Sequence, residues 1–67
     1  MVVQIDIKKI IYERANQGLN LRELSKKSGI MVTTIQRMER GEKVRLDTIG
    51  KIAKALGKGV EDFVIDE

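Results

Sequence analysis

The chain contains no proline, so glycine alone punctuates it, at Gly18, Gly29, Gly41, Gly57 and Gly59. The intervals between these residues are of helix length, and each glycine marks a place where a helix can stop and the chain can turn. A chain of 67 residues has room for a single domain, spanning 1–67, and no more. A domain of that size buries only about 60% of the surface its unfolded form exposes, so its stability is modest.

The first interval predicts a helix from about Asp6 to Gln17, with Asp6 as N-cap, Ile7, Ile10, Ile11 and Ala15 at helical spacing, and Gly18 at the stop. Just before it, Val3, Ile5 and Ile7 alternate with Gln4 and Asp6; an extended start is the lesser alternative, and no strand is assigned. The second helix opens at Asn20, with Glu23 three positions on at the spacing of a capping box. It runs to about Ser28 and turns Leu21, Leu24 and Ser25 inward. Gly29 then breaks it, since glycine takes positive φ without penalty. The third helix runs from about Val32 to Arg40 and directs Met31, Ile35 and Met38 at the core, although Met31 stands where a Ser or Thr cap is expected. The fourth, about Leu46 to Leu56, aligns Leu46, Ile49, Ile52, Ala53 and Leu56 in one stripe. Gly50 inside it costs about 1 kcal/mol relative to alanine. A last short helix is expected over Val60 to Val64. Five short helices and no strand define an all-α fold.

Absent residue types narrow the chemistry. Without cysteine or histidine there are no disulfides, no thiolate zinc sites and no imidazole acid–base catalysis. Ser25 and Ser28 have no histidine to activate them, and Lys26–Lys27 lacks the glycine pattern of a phosphate loop. An enzyme is therefore disfavoured, and no cofactor or metal is expected. The start, MVVQIDIKKII, does not read as a signal peptide, and no run approaches the length of a membrane span, so a cytoplasmic setting is expected. With only Tyr12 and Phe63 as aromatics, the core must be built from aliphatic side chains. Charge is unevenly spread: residues 1–58 hold all 13 Lys and Arg against 6 acids, whereas residues 59–67 hold Glu61, Asp62, Asp66 and Glu67 and no base. A basic body with an acidic end suits a polyanion, though a solvated mixed-charge surface has the same composition.

The stretch from about 20 to 40 is therefore two helices hinged at one glycine. At about 100° per residue, the third helix sets Thr33, Gln36, Arg37 and Arg40 opposite its apolar side, with Val32 at the margin. Arg37 can donate twice to guanine O6 and N7, Gln36 can pair with adenine, and Val32 and the Thr33 methyl can meet a thymine methyl. Each good bidentate pair discriminates by about 1–3 kcal/mol. Any surface helix also carries a polar face, so periodicity alone does not separate these readings. For phosphates, the start of the second helix, Asn20 to Arg22, offers amides and the positive end of a dipole. Lys43 and Arg45 follow in the loop after the third helix, and Arg40 flanks it. Lys8, Lys9, Lys26 and Lys27 read as solvated charges.

An ordered set of residues makes a family resemblance visible: Gly18-Leu19-Asn20, Arg22-Glu23-Leu24, Gly29-Ile30, Thr34-Ile35, Arg37-Met38-Glu39-Arg40-Gly41 and Ile52-Ala53-Lys54-Ala55-Leu56-Gly57. Along nearly its whole length the chain resembles the lambda-repressor-like helix-turn-helix family, the Cro/CI or XRE-type regulators. The resemblance implies a compact five-helix DNA-binding domain with its third helix in the major groove. Val32, Thr33, Gln36 and Arg37 would then match base-contacting positions, and Asn20, Lys43 and Arg45 phosphate-contacting ones. It also implies a structural ion pair between Arg14 and Glu39, and a bacterial, plasmid or phage origin. Three departures stand out. Leu21 replaces a Gln that commonly supports a phosphate contact and the recognition helix; Met31 replaces the cap of helix three; Arg45 stands where a Ser or Thr often caps helix four.

A sequence-specific regulator of double-stranded DNA, acting as a repressor, is thus the expected function. The alternative is a protein-interaction module of the same fold, such as an antitoxin or bridging factor, for which Leu21 speaks. One unit reads few base pairs, so a homodimer on two half-sites about 34–36 Å apart is expected. Val60 and Phe63 are assigned to the core, and Val64 and Ile65 to a dimer interface.

Overall fold

A computed structural model describes residues 4–65. The elements in order are β1 (Gln4–Ile5), α1 (Ile7–Asn16), α2 (Leu21–Ser28), α3 (Val32–Glu39), α4 (Leu46–Ala55), a single 3-10 turn (Val60–Asp62) and β2 (Val64–Ile65). Helix α2 packs on both α3 and α4, α1 on α3, and the 3-10 turn on α4. The two strands pair antiparallel, Gln4 with Ile65 and Ile5 with Val64.

Local chemistry accounts for the helix starts. The Asp6 carboxylate accepts the Lys9 amide at 3.1 Å and opens α1. Asn20 and Glu23 form a reciprocal capping box on α2, with Asn20 Oδ1 accepting the Glu23 amide at 2.8 Å and Glu23 Oε1 accepting the Asn20 amide at 2.9 Å. Gly29 closes α2 at φ 74°, a conformation in which a Cβ would be strained, and its amide donates back to the Ser25 carbonyl. Neither α3 nor α4 has a side-chain cap, since Met31 and Arg45 occupy the N-cap positions.

The core is aliphatic apart from one ring: Ile10, Leu24, Ile35, Met38, Ile49, Ile52, Ala53, Leu56 and Phe63 are all buried. Phe63 is the largest of them and Val60 packs beside it, so the chain's last segment closes the core. Gln17 Nε2 donates to the Leu56 carbonyl at 2.7 Å, fastening the end of α1 to that of α4. No buried side-chain polar atom among the described residues lacks a hydrogen-bond partner.

Four expectations are corrected. The described residues form four α-helices, and the expected fifth helix is only the 3-10 turn at Val60–Asp62, after which the β-branched pair Val64–Ile65 extends to meet β1. Within the alternating start Gln4–Ile5 is a short, paired strand, Ile7 begins α1 and Val3 lies outside the described residues, so the described fold is mostly helical rather than purely so. Met31 is 70% exposed, because its extended backbone (φ −61°, ψ 143°) lies outside α3, where helical projection does not apply. Leu46 is 50% exposed: it is the first residue of α4, one turn beyond the core contact made by Ile49.

Candidate nucleic-acid interface

The turn between α2 and α3 is fixed by hydroxyl groups. Ser25 Oγ donates to the Ile30 carbonyl at 2.6 Å, and Ser28 Oγ accepts the Ile30 amide at 3.2 Å. These bonds and Gly29 set the angle at which α3 leaves α2. Ile35 and Met38 then anchor α3 from beneath, both fully buried. On the far side Thr33, Gln36, Arg37 and Arg40 are exposed, while Val32 and Thr34 are half-buried at the edges. Gln36 sits on the flank nearer α1, where it lines a shallow groove with Ile11, Glu39 and Arg40.

The rear of α3 is tied to α1. Arg14 Nε donates to Glu39 Oε2 at 2.9 Å, Nη2 to Oε1 at 3.3 Å, and Nη1 to the Leu19 carbonyl at 2.9 Å. One guanidinium thus joins α1, the loop before α2 and the last residue of α3. With side chains only 18% and 16% exposed, the pair is shielded from much of the screening that weakens surface ion pairs.

The remaining cations divide into two kinds. Arg40 binds Glu42 at 2.8 Å and Arg45 binds Asp47 at 3.1 Å, and all four side chains lie largely in solvent. Such pairs are weak and exchange readily for another anion. Arg22, Arg37 and Lys43 are exposed and form no ion pair among the described residues. At the start of α2 the capping box already uses the Asn20 and Glu23 amides, which leaves those of Leu21 and Arg22, together with Asn20 Nδ2, as donors. Of the amides expected to be open from Asn20 to Arg22, that of Asn20 is thus taken by Glu23. Leu21 is half-buried against the core.

One feature escaped the sequence reading. Glu42 and Asp47 each follow their arginine by two positions, a spacing that brings side chains together only off the regular helix. The uncapped start of α3, expected from Met31 at the cap position, leaves the Val32 and Thr33 amides without an intrahelical partner beside the exposed polar face. Val64 is half-buried and Ile65 exposed, and the backbones of both are engaged by β1. Among the described residues, no cluster of three acidic side chains could hold a metal ion. No helix there is long and apolar enough to cross a membrane.

This geometry, one rigidly backed helix with a polar outer face beyond a glycine turn, is that of a helix-turn-helix unit. A helix-turn-helix family model matches residues 10–63, which is most of the chain. The chain belongs to this family, the Cro/CI and XRE-type helix-turn-helix proteins, whose members are DNA-binding regulators. Comparison with curated proteins and with solved structures yields no match.

Proposed function

We propose that the protein is a sequence-specific regulator of transcription that inserts α3 into the major groove of double-stranded DNA. The observation that carries this reading is the exposed Arg37, unpaired among the described residues, beside Gln36 and Thr33 on a helix whose opposite side is fully buried. Arg37 reads guanine through two hydrogen bonds, Gln36 reads adenine, and the Thr33 methyl with Val32 meets thymine. Arg22, Lys43 and Asn20 Nδ2 take phosphates on either side. Arg40 and Arg45 join them by exchanging their carboxylates for phosphate oxygens. Arg14 and Glu39 touch no DNA and hold α3 in place.

Occupancy of a promoter is enough to exclude polymerase, so repression needs no further chemistry from this domain. Two copies on two half-sites double the sequence read. The setting is the cytoplasm of a bacterium, with the gene carried on a chromosome, plasmid or phage. One observation favours a second reading as a protein-interaction module: half-buried Leu21 supplies an apolar contact where a polar side chain would support DNA docking.

Binding-site selection from random duplexes, followed by mobility-shift titration of the winner at two salt concentrations, tests the proposal. We expect one enriched sequence, with affinity falling by a log–log slope of about 0.9 per phosphate contacted. Arg37→Ala should relax preference at one base-pair position by about 1–3 kcal/mol. No enrichment over random DNA would overturn the regulator reading in favour of the interaction module.

A further inference from the structure

Helix α4 carries a glycine for which its own protomer gives no reason. Gly50 lies mid-helix, where glycine is less favourable than alanine. A Cβ built there would meet nothing within 4 Å. One turn earlier on the same face stands Leu46, half out in solvent although apolar. Leucine and glycine together make a knob and a notch side by side. Asp47 and Lys51, both exposed and also one turn apart, run along one flank of that face.

We propose that this face of α4 is where two copies of the chain associate, with their α4 helices antiparallel across a two-fold axis. Leu46 of each copy seats over Gly50 of the other, where the missing side chain lets the backbones approach closely. Asp47 of each copy meets Lys51 of the other. A two-fold contact must be self-complementary, because whatever residue i meets, its equivalent meets in return. This patch is self-complementary in shape, leucine against glycine, and in charge, acid against base. At about 1.5 Å rise per residue, helices that cross between Leu46 and Gly50 place Asp47 and the opposing Lys51 about 3 Å apart along the axis, well within side-chain reach. Among the described residues Asp47 is held in the single copy by its exposed contact with Arg45, which exchanges readily. The inference deepens the reading of paired units on two half-sites and rests on it for its purpose; its test uses no DNA.

Sedimentation of the full chain over a concentration series should show a monomer–dimer equilibrium. Gly50→Ala should act in opposite directions on two readouts: a thermal midpoint about 4–8 °C higher at low concentration, and dimerisation weakened about tenfold or more. A substitution with a purely structural effect would not split in this way. Asp47→Lys and Lys51→Glu should each weaken self-association, and mixing the two variants should restore it as a heterodimer. A chain that stays monomeric to about 1 mM overturns the inference. So does a dimer indifferent to Gly50→Ala, and so does one lost instead in Ile65→Lys, which would move the contact to the strand Val64–Ile65. Specific DNA binding by a strict monomer would sink this inference and leave the regulator reading intact. A dimer of the stated behaviour that ignores DNA would do the reverse.

Discussion

Arg14→Met removes one guanidinium and keeps most of the apolar stem, so it isolates the polar tie behind α3. Three hydrogen bonds disappear, two to Glu39 and one to the Leu19 carbonyl. An exposed ion pair of this kind would contribute about 0.2–1 kcal/mol, and breaking a fully buried one would cost about 3–5 kcal/mol. With both side chains less than one-fifth exposed, this pair lies between those limits, and we expect a loss of about 2–3 kcal/mol. A chain of this length has a total stability of only about 3–10 kcal/mol. The thermal midpoint should therefore fall by about 10–20 °C, at about 4–8 °C per kcal/mol. Urea unfolding followed by circular dichroism should show a lower midpoint with an unchanged slope. A cycle with Glu39→Gln should return a coupling of about 1–2 kcal/mol, because the two groups share their bonds. Loss of DNA affinity should accompany the stability change even at temperatures where the variant is folded, since α3 loses its rear support. A stability loss below about 0.5 kcal/mol, or additive single variants, would refute the reasoning and make the pair an ordinary surface contact.

Met31→Ser should stabilise the fold by about 1 kcal/mol, measurable by urea titration, because it supplies the missing cap of α3 and removes a side chain that packs on little. Phe63→Ala should cost about 3–5 kcal/mol and leave the chain largely unfolded at 37 °C by circular dichroism, since Phe63 is the largest buried side chain. Lys43→Ala should weaken binding to all DNA sequences alike and reduce the salt slope by about 0.9. Arg45→Ala should reduce that slope by less, because Asp47 already neutralises part of its charge.

Glycine spacing and capping chemistry made the helices legible. Asp6, the Asn20–Glu23 box and Gly29 act through neighbours three or four residues away, so their effects can be read from order alone. Leu24, Ile35, Met38, Ile49 and Ile52 were recognisable as core for the same reason, since helical period places them on inner faces. What escaped depended on contacts distant in the chain or on element ends. Val64 and Ile65 extend because β1 waits for them, and nothing within Val60–Ile65 announces that partner. Met31 and Leu46 obey the helical period yet lie at or before the first helical residue, where the period no longer predicts depth. On the candidate interface, the residue types of α3 were readable. The carboxylates that occupy Arg40 and Arg45 were not, because loop conformation decides whether side chains two apart can meet.

The pairing of β1 with β2 makes the described fold close to a ring. Gln4 lies against Ile65, and the Asp6 amide donates to the Phe63 carbonyl at 2.7 Å, just where α1 begins. During synthesis α1 through α4 can come together from neighbouring segments, but β1 has no mate until the other end of the domain has left the ribosome. Phe63, the ring that fills the core, arrives at the same moment. Closure is thus the step with the longest loop and the largest chain-entropy cost, and it comes last. Before closure, a nascent chain carries an unplugged aliphatic core and a lone strand edge, the state most exposed to aggregation and proteolysis.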